Sequence, residues 1–223
     1  MLKTIVALLR ASHFPQTLAM TALLGVSAWL TSVDGLNLII FVAAVFTGQL
    51  SVGWVNDLVD ASLDSSAARL EKPVVAGALK RSTLRRAIAI ALILTIALSI
   101  LAAGWIGGFA HLGAVASAQL YNLYLSRTVW SWLPYAVSFS LLPLFVAQAA
   151  ARNLRPETSV ILLFTTVGVI AHLLNALPDI EIDRRAGKGG LAVSLGRTKS
   201  LVLAAGLCVV ALAALLYLFA FLR

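Results

Sequence analysis

Three aspartates stand together behind a long uncharged stretch: Asp57, Asp60 and Asp64, in GWVNDLVDASLDSSAARLEKP, follow residues 36–55, which carry no charge. If a helix continues past Val55, their spacing of i, i+3 and i+7 puts all three carboxylates within about 60° on one face. Carboxylates held that close repel one another unless a cation lies between them. A second acidic group, in HLLNALPDIEIDRRAGKGG, sets Asp179 and Asp183 at i and i+4, with Asn175 one turn earlier and Pro178 placed to kink the helix. The two groups repeat one another. Asn56-x-x-x-Asp60-x-x-x-Asp64 matches Asn175-x-x-x-Asp179-x-x-x-Asp183 at a shift of 119 residues.

The plain alternative is a solvated helix end whose acids pair with Arg69, Lys72, Arg184 and Arg185. One cluster alone would favour it. Two clusters of the same spacing, in a chain with nine acidic residues in all, point instead to a divalent cation. Oxygen ligands without a His or Cys group suit Mg²⁺ rather than zinc, and Mg²⁺ commonly completes its shell with phosphate oxygens. Lys72, Lys80, Arg127 and Lys188 are placed to add positive charge around such a phosphate. The candidate metal ligands are therefore Asp57, Asp60, Asp64, Asp179 and Asp183, with Asn56 and Asn175 beside them.

The elements that must position these groups are membrane helices. Of 223 residues, 61% are hydrophobic and 12% charged, about half the roughly 25% of an ordinary soluble domain. Charge-poor runs at residues 14–30, 36–55, 87–103, 109–125, 132–150, 160–177 and 201–222 give seven spans, each near the length needed to cross the hydrocarbon core as a helix. A helix satisfies its own backbone in lipid, so the expectation is an all-α, polytopic bundle forming a single domain over residues 1–223. Alternating the spans puts fourteen of the seventeen Lys and Arg residues on the N-terminal side; only Arg152, Arg155 and Arg223 fall opposite. The net charge of +8 is thus a topology signal and not a nucleic-acid footprint. It predicts a multi-pass protein of the cell membrane whose N-terminus and acidic loops are cytoplasmic. Four spans separate the two acidic motifs, so both emerge at cytoplasmic helix ends and can face each other. MLKTIVALLRASHF reads as a short cytoplasmic arm, since Arg10 interrupts its apolar run. The lone Cys208 reads as an apolar filler.

NDLVDASLD, the following KPVVAGAL, and DIEIDRRAGKGGLAVSLG resemble the UbiA superfamily of intramembrane prenyltransferases, over most of the chain. The resemblance implies two aspartate-rich motifs binding an isoprenyl diphosphate through Mg²⁺, and transfer of the prenyl group to an aromatic or other lipophilic acceptor. Asn56, Asp57, Asp60 and Asp64 correspond to the first motif, Asp179 and Asp183 to the second. YNLYLSRTVWSWLPYAVSF is similar to the family's tyrosine-containing loop, with Tyr121 as its tyrosine. The lysine that follows in the family is replaced by Leu125 or Ser126, which leaves Arg127 to take its part. The family fold typically has nine helices around a central cavity, and this chain has room for one after the second motif.

In such a reaction the diphosphate leaves as an anion while a carbocation develops on the prenyl carbon; Mg²⁺ and basic side chains stabilise the first, aromatic faces and exclusion of water the second. Tyr121, Tyr124 and Trp54 are near the polar layer, although Trp54, Trp130 and Trp132 read better as interface anchors. His13 reads as interfacial, His111 as lying at the outer end of its span, and His172, two turns before Asp179, as a packing residue. Gly77 fits a turn, and Gly187, Gly189 and Gly190 a flexible loop. Phe41, Phe46, Phe139 and Phe145 are candidates for shaping the cavity. The missing pair of helices predicts a lateral portal to membrane lipid, with a homo-oligomer as the lesser way to cover the gap. Two other classes also place acids in membrane bundles. A cation-coupled transporter would place its acids near the midplane, and a CDP-alcohol phosphotransferase-like enzyme would hold its acids in one run with Gly where Ala61 stands.

Overall fold

A computed structural model of the chain describes residues 2–66, 69–185 and 187–221. Among the described residues nine α-helices follow in order: α1 (Leu2–Ala11), α2 (Phe14–Leu30), α3 (Gly35–Ser66), α4 (Arg81–Leu123), α5 (Leu133–Ala150), α6 (Thr158–Ala176), α7 (Ile180–Arg185), α8 (Leu191–Leu195) and α9 (Arg197–Phe221). No strand occurs among the described residues. Five of these helices have at least 18 residues and the apolar composition needed to span a bilayer, and α2 falls just short with 17.

The 43-residue α4 contains two of the expected spans. Gly104 breaks it at φ 65°, ψ −170°, a backbone conformation open to glycine. Ser99 and His111, about 18 Å apart along a straight helix, are hydrogen-bonded at 2.7 Å. The chain therefore folds back at Gly104 into two limbs. Carbonyls orphaned at the end of the first limb are taken by Arg152, which donates from Nη1 to Ala102 O at 3.0 Å and from Nη2 to Leu101 O at 3.2 Å. With α4 divided, seven apolar segments remain: α2, α3, the two limbs, α5, α6 and α9.

The chain divides into two compact units, residues 1–115 with 145–154, and residues 116–144 with 155–223. In the first unit α3 packs on α1 and α2. Its core near the acidic end of α3 gathers Ala7, Ala11, Trp54, Leu79, Leu84 and Ile88. Deeper in the same unit the rings of Phe41, Phe145 and His111 stack at successive centroid distances of 4.4 Å. Phe41, Phe145 and His111 are thus packed core. In the second unit α6 lies against α9 and the short α8.

Two further expectations, for Trp54 and Cys208, are corrected. The N-terminal arm is a helix, held to α3 by Trp54 Nε1 donating to Leu8 O at 2.8 Å. Trp54 is therefore buried core rather than an interface anchor, because the α1 backbone supplies its indole N–H with a partner. Cys208 is exposed on α9, a helix whose apolar residues largely face outward, and does not fill the interior. Arg223 lies outside the described residues.

Candidate active site

The first acidic cluster belongs to the first unit and is built on length. A helix needs about 20 residues to span the hydrocarbon core, whereas α3 has 32, and its last turns carry Asn56, Asp57, Asp60 and Asp64 uninterrupted. One residue sets what covers them. A Cβ on Gly53 would collide with the backbone carbonyl of Ser12, so only glycine lets the α1–α2 turn lie directly on α3, one turn before Asn56. That turn carries His13 in the left-handed region, φ 52° and ψ 53°.

Asp57 is 1% exposed and Asp64 6%. Lys72 Nζ stands 3.0 Å from Asp57 Oδ1. Neither oxygen of Asp57 has a well-aligned donor among the described residues, nor has Oδ2 of Asp64, so the Lys72 contact is one of charge proximity and not a directed hydrogen bond. Asp64 Oδ1 receives Arg69 Nη1 at 3.4 Å, and the same guanidinium bonds Glu71 through Nε at 3.0 Å. Asn56 Nδ2 donates to Asp60 Oδ2 at 3.4 Å. His13 Nε2 lies 3.3 Å from Lys72 Nζ. Burial, and then the Lys72 charge, hold the His13 pKa below the ordinary imidazole value. His13 is packed over the cluster; no signal in the sequence marks this contact, because it depends on a close approach at Gly53.

The second cluster belongs to the second unit and is built on a break. Helix α6 stops at Ala176, Pro178 follows, and α7 restarts at Ile180. The turn between them keeps the pitch, since Asp183 N–H bonds Asp179 O at 2.8 Å. Lys188 is folded back onto Asp183 by its own N–H to Asp183 O at 2.8 Å, with Nζ 3.7 Å from Oδ1. Arg184 serves Glu181 instead, at 2.8 Å. A Cβ on Gly189 would collide with the carbonyl of Arg127, so the glycine loop and the Leu125–Arg127 turn meet backbone to backbone. The same junction is pinned by Ser131, whose Oγ accepts Leu191 N–H at 3.0 Å and lies 3.1 Å from His172 Nε2.

Tyr121 belongs to an aromatic group that the sequence shows only in part. Its ring meets that of Tyr135 edge-on at 5.1 Å, and His172 lies 6.0 Å from Tyr121 and 5.1 Å from Tyr135. Tyr135 is also hydrogen-bonded to Asn175. His172 is buried among these rings, as a packing reading expects, yet its Nδ1 has no partner among the described residues. Tyr124 and Trp130 are exposed.

Among the described residues no three His, Cys, Asp or Glu side chains converge as a complete metal cage. Mg²⁺ does not require one, because it is typically held by one or two carboxylates with the remaining positions filled by phosphate and water oxygens. The buried donorless oxygens of Asp57 and Asp64 fit that demand. Lys72 supplies the neutralising charge there.

Comparison with known proteins bears on the whole fold. The family model of the UbiA prenyltransferase family matches residues 18–223. The fold is similar to a UbiA homolog from Archaeoglobus fulgidus bound to GPP and Mg²⁺, with TM-score 0.80 and 17% identity, covering 96% of this chain and 77% of that one. A UbiA homolog from Aeropyrum pernix K1 in its apo form gives TM-score 0.70 and 19% identity, over 90% of this chain and 77% of that one. A structure described for the biosynthesis of digeranylgeranylglyceryl phosphate synthase in membranes gives TM-score 0.71 and 20% identity, over 96% and 76%. None of the curated proteins matches.

Proposed function

The chain belongs to the UbiA prenyltransferase family, and from that premise we propose that it moves an isoprenyl group from an isoprenyl diphosphate to an aromatic or other lipophilic acceptor within the membrane, using Mg²⁺. The observation that carries this reading is the burial of Asp57 and Asp64 with three carboxylate oxygens that have no well-aligned hydrogen-bond donor among the described residues. Such groups are costly to bury unless a cation is part of the working state. UbiA homologs of the same fold bound to GPP or DMAPP with Mg²⁺ support the substrate class.

Asp57, Asp60 and Asp64, and separately Asp179 and Asp183, are the residues that would hold Mg²⁺; bound there, it supplies Lewis-acid neutralisation of the diphosphate. Lys72 and Lys188, each beside an aspartate, bind diphosphate oxygens, and Arg127 adds a charge in the place of the family lysine. Asn56 and Asn175 orient neighbouring acids and rings through amide hydrogen bonds. Tyr121 presents a ring to the allylic carbon, where positive charge grows as the C–O bond breaks. The surrounding apolar helices exclude water, which would otherwise capture that carbon. Residues 1–223 act as one transferase domain of the cell membrane, with the N-terminus and both acidic loops in the cytoplasm, and the outward apolar residues of α9 meet lipid.

The test is transfer of a labelled prenyl diphosphate to a panel of phenols, quinone precursors and sugar phosphates, with and without Mg²⁺. Transfer that persists fully in the presence of a chelator would overturn the reading.

A further inference from the structure

His13 makes contacts that no role given so far explains. A turn between two helices at φ 52° would ordinarily use Gly or Asn, whose αL conformation costs little. Here it carries an imidazole packed between two functional groups. One ring nitrogen, Nε2, lies 3.3 Å from Lys72 Nζ, and the side chain is also hydrogen-bonded to Asn56.

The directions of these bonds follow from donor and acceptor inventories. A charged lysine has three N–H groups and no lone pair, so Nε2 must be the acceptor. The ring proton then sits on Nδ1, and Asn56 donates from Nδ2 to Asp60 Oδ2 at 3.4 Å. A hydrogen bond therefore runs from Lys72 to the His13 ring. It exists only while the imidazole is neutral. The low pKa that burial and Lys72 impose on His13 keeps it so.

We propose that His13 is a positioning residue that holds the Lys72 ammonium at the first acidic cluster, and so deepens the diphosphate reading above, on which it rests. Lys72 has two partners of unlike strength: the Asp57 carboxylate at 3.0 Å, and the neutral His13 ring at 3.3 Å. When a metal ion and a diphosphate neutralise Asp57, the carboxylate releases its hold on the ammonium. The uncharged acceptor keeps Lys72 in place without competing for its charge, so the ammonium turns to a diphosphate oxygen instead of swinging away. A carboxylate at residue 13 would bind Lys72 too firmly, and an apolar side chain would not bind it at all.

The test compares His13→Gly, which suits the left-handed backbone but removes the acceptor, with His13→Gln, whose Oε1 can replace Nε2. Both are made with and without Lys72→Gln. Calorimetry measures binding of inorganic pyrophosphate in excess Mg²⁺, and an amine-directed reagent measures the labelling rate of Lys72 without ligand. His13→Gly should weaken pyrophosphate binding about tenfold, the scale of one hydrogen bond to a charged group, and His13→Gln should restore most of it. Adding His13→Gly to Lys72→Gln should cost little more than Lys72→Gln alone, because the histidine acts through the lysine. Lys72 should label faster in His13→Gly, while the thermal midpoint stays at or above that of the parent. Unchanged labelling and unchanged binding in His13→Gly, or losses that add fully to those of Lys72→Gln, would overturn the proposal. If the parent binds no pyrophosphate but Lys72 still labels faster in His13→Gly, the positioning contact stands and the diphosphate reading falls.

Discussion

The two acidic clusters share a spacing and differ in how the chain realises it. The first is wound on one uninterrupted helix, sunk under the α1–α2 turn, and neutralised by Lys72 against a carboxylate only 1% exposed. The second is split between α6 and α7, and its ion pair is longer and wetter, 3.7 Å with side-chain exposures of 17% and 26%. Rigidity in the first comes from a helix and a glycine contact; in the second it comes from a backbone turn and a loop pinned by Ser131. Equal sequence spacing therefore does not mean equal energetics. The same Asp and Lys pair carries a larger desolvation cost in the first place than in the second.

The largest effect should be shared by both. Asp60→Asn and Asp183→Asn should each lower prenyl transfer by about 10³-fold, on the scale of removing an electrostatic stabiliser, with the thermal midpoint unchanged or raised because like charges are relieved. Loss of fold in either variant, with no Mg²⁺ dependence in the parent, would mean that the acids are structural. The next effect separates the clusters. Lys72→Ala strands the buried Asp57 carboxylate and should cost about 3 kcal/mol, and Mg²⁺ should recover part of it, whereas Lys188→Ala should cost less than about 1 kcal/mol. Equal losses in denaturant melts would erase the distinction.

Glycine contacts give a smaller contrast. Gly53→Ala pushes a β-carbon of α3 into the Ser12 carbonyl of the α1–α2 turn packed directly on it, and should cost about 2 kcal/mol. Gly189→Ala meets the Arg127 carbonyl in a loop that can shift, and should cost about half as much. Smaller again is a pH effect confined to the first cluster. His13, facing Lys72, Asn56, Asp57 and Arg69, binds its proton more weakly folded than unfolded, so unfolding takes up a proton. Stability is full above the ordinary value of 6.5 and declines as pH falls through it toward the lowered folded value. The decline should flatten in His13→Gln. Orientation has no energetic signature at all: after Cys208→Ala, a cysteine at residue 66 should label only from the cytoplasmic side, and one at residue 153 only from outside.

Much of this was legible because membrane helices are read from composition. The seven apolar runs, the continuation of α3 past Val55 and the break at Pro178 all follow from charge, length and proline. What stayed hidden depends on contacts between segments far apart in sequence. His13 is 43 residues from Asn56 and reaches it only because Gly53 has no side chain. Trp54 gave the interfacial signal of any tryptophan near a charged segment, and the partner that buries it is a backbone carbonyl of α1, which carries no side-chain signature. Ser131 and Tyr135 had no distinguishing spacing, since their partners lie on α6 and at Leu191.

The fold-back at Gly104 bears on how the chain is made. An insertion machinery meeting residues 81–123 finds two apolar limbs joined by Trp105, Ile106 and glycines, with no charged loop to mark a boundary. Neither limb carries a flanking charge at the bend, so the pair enters as one helical hairpin whose reversal is set by backbone freedom alone. The carbonyls at its bend are satisfied only when Arg152 emerges, some fifty residues later. Until then the hairpin is a provisional object, and Arg152 acts as a late latch: its arrival closes the first unit at a point in synthesis when the second acidic motif has yet to be translated.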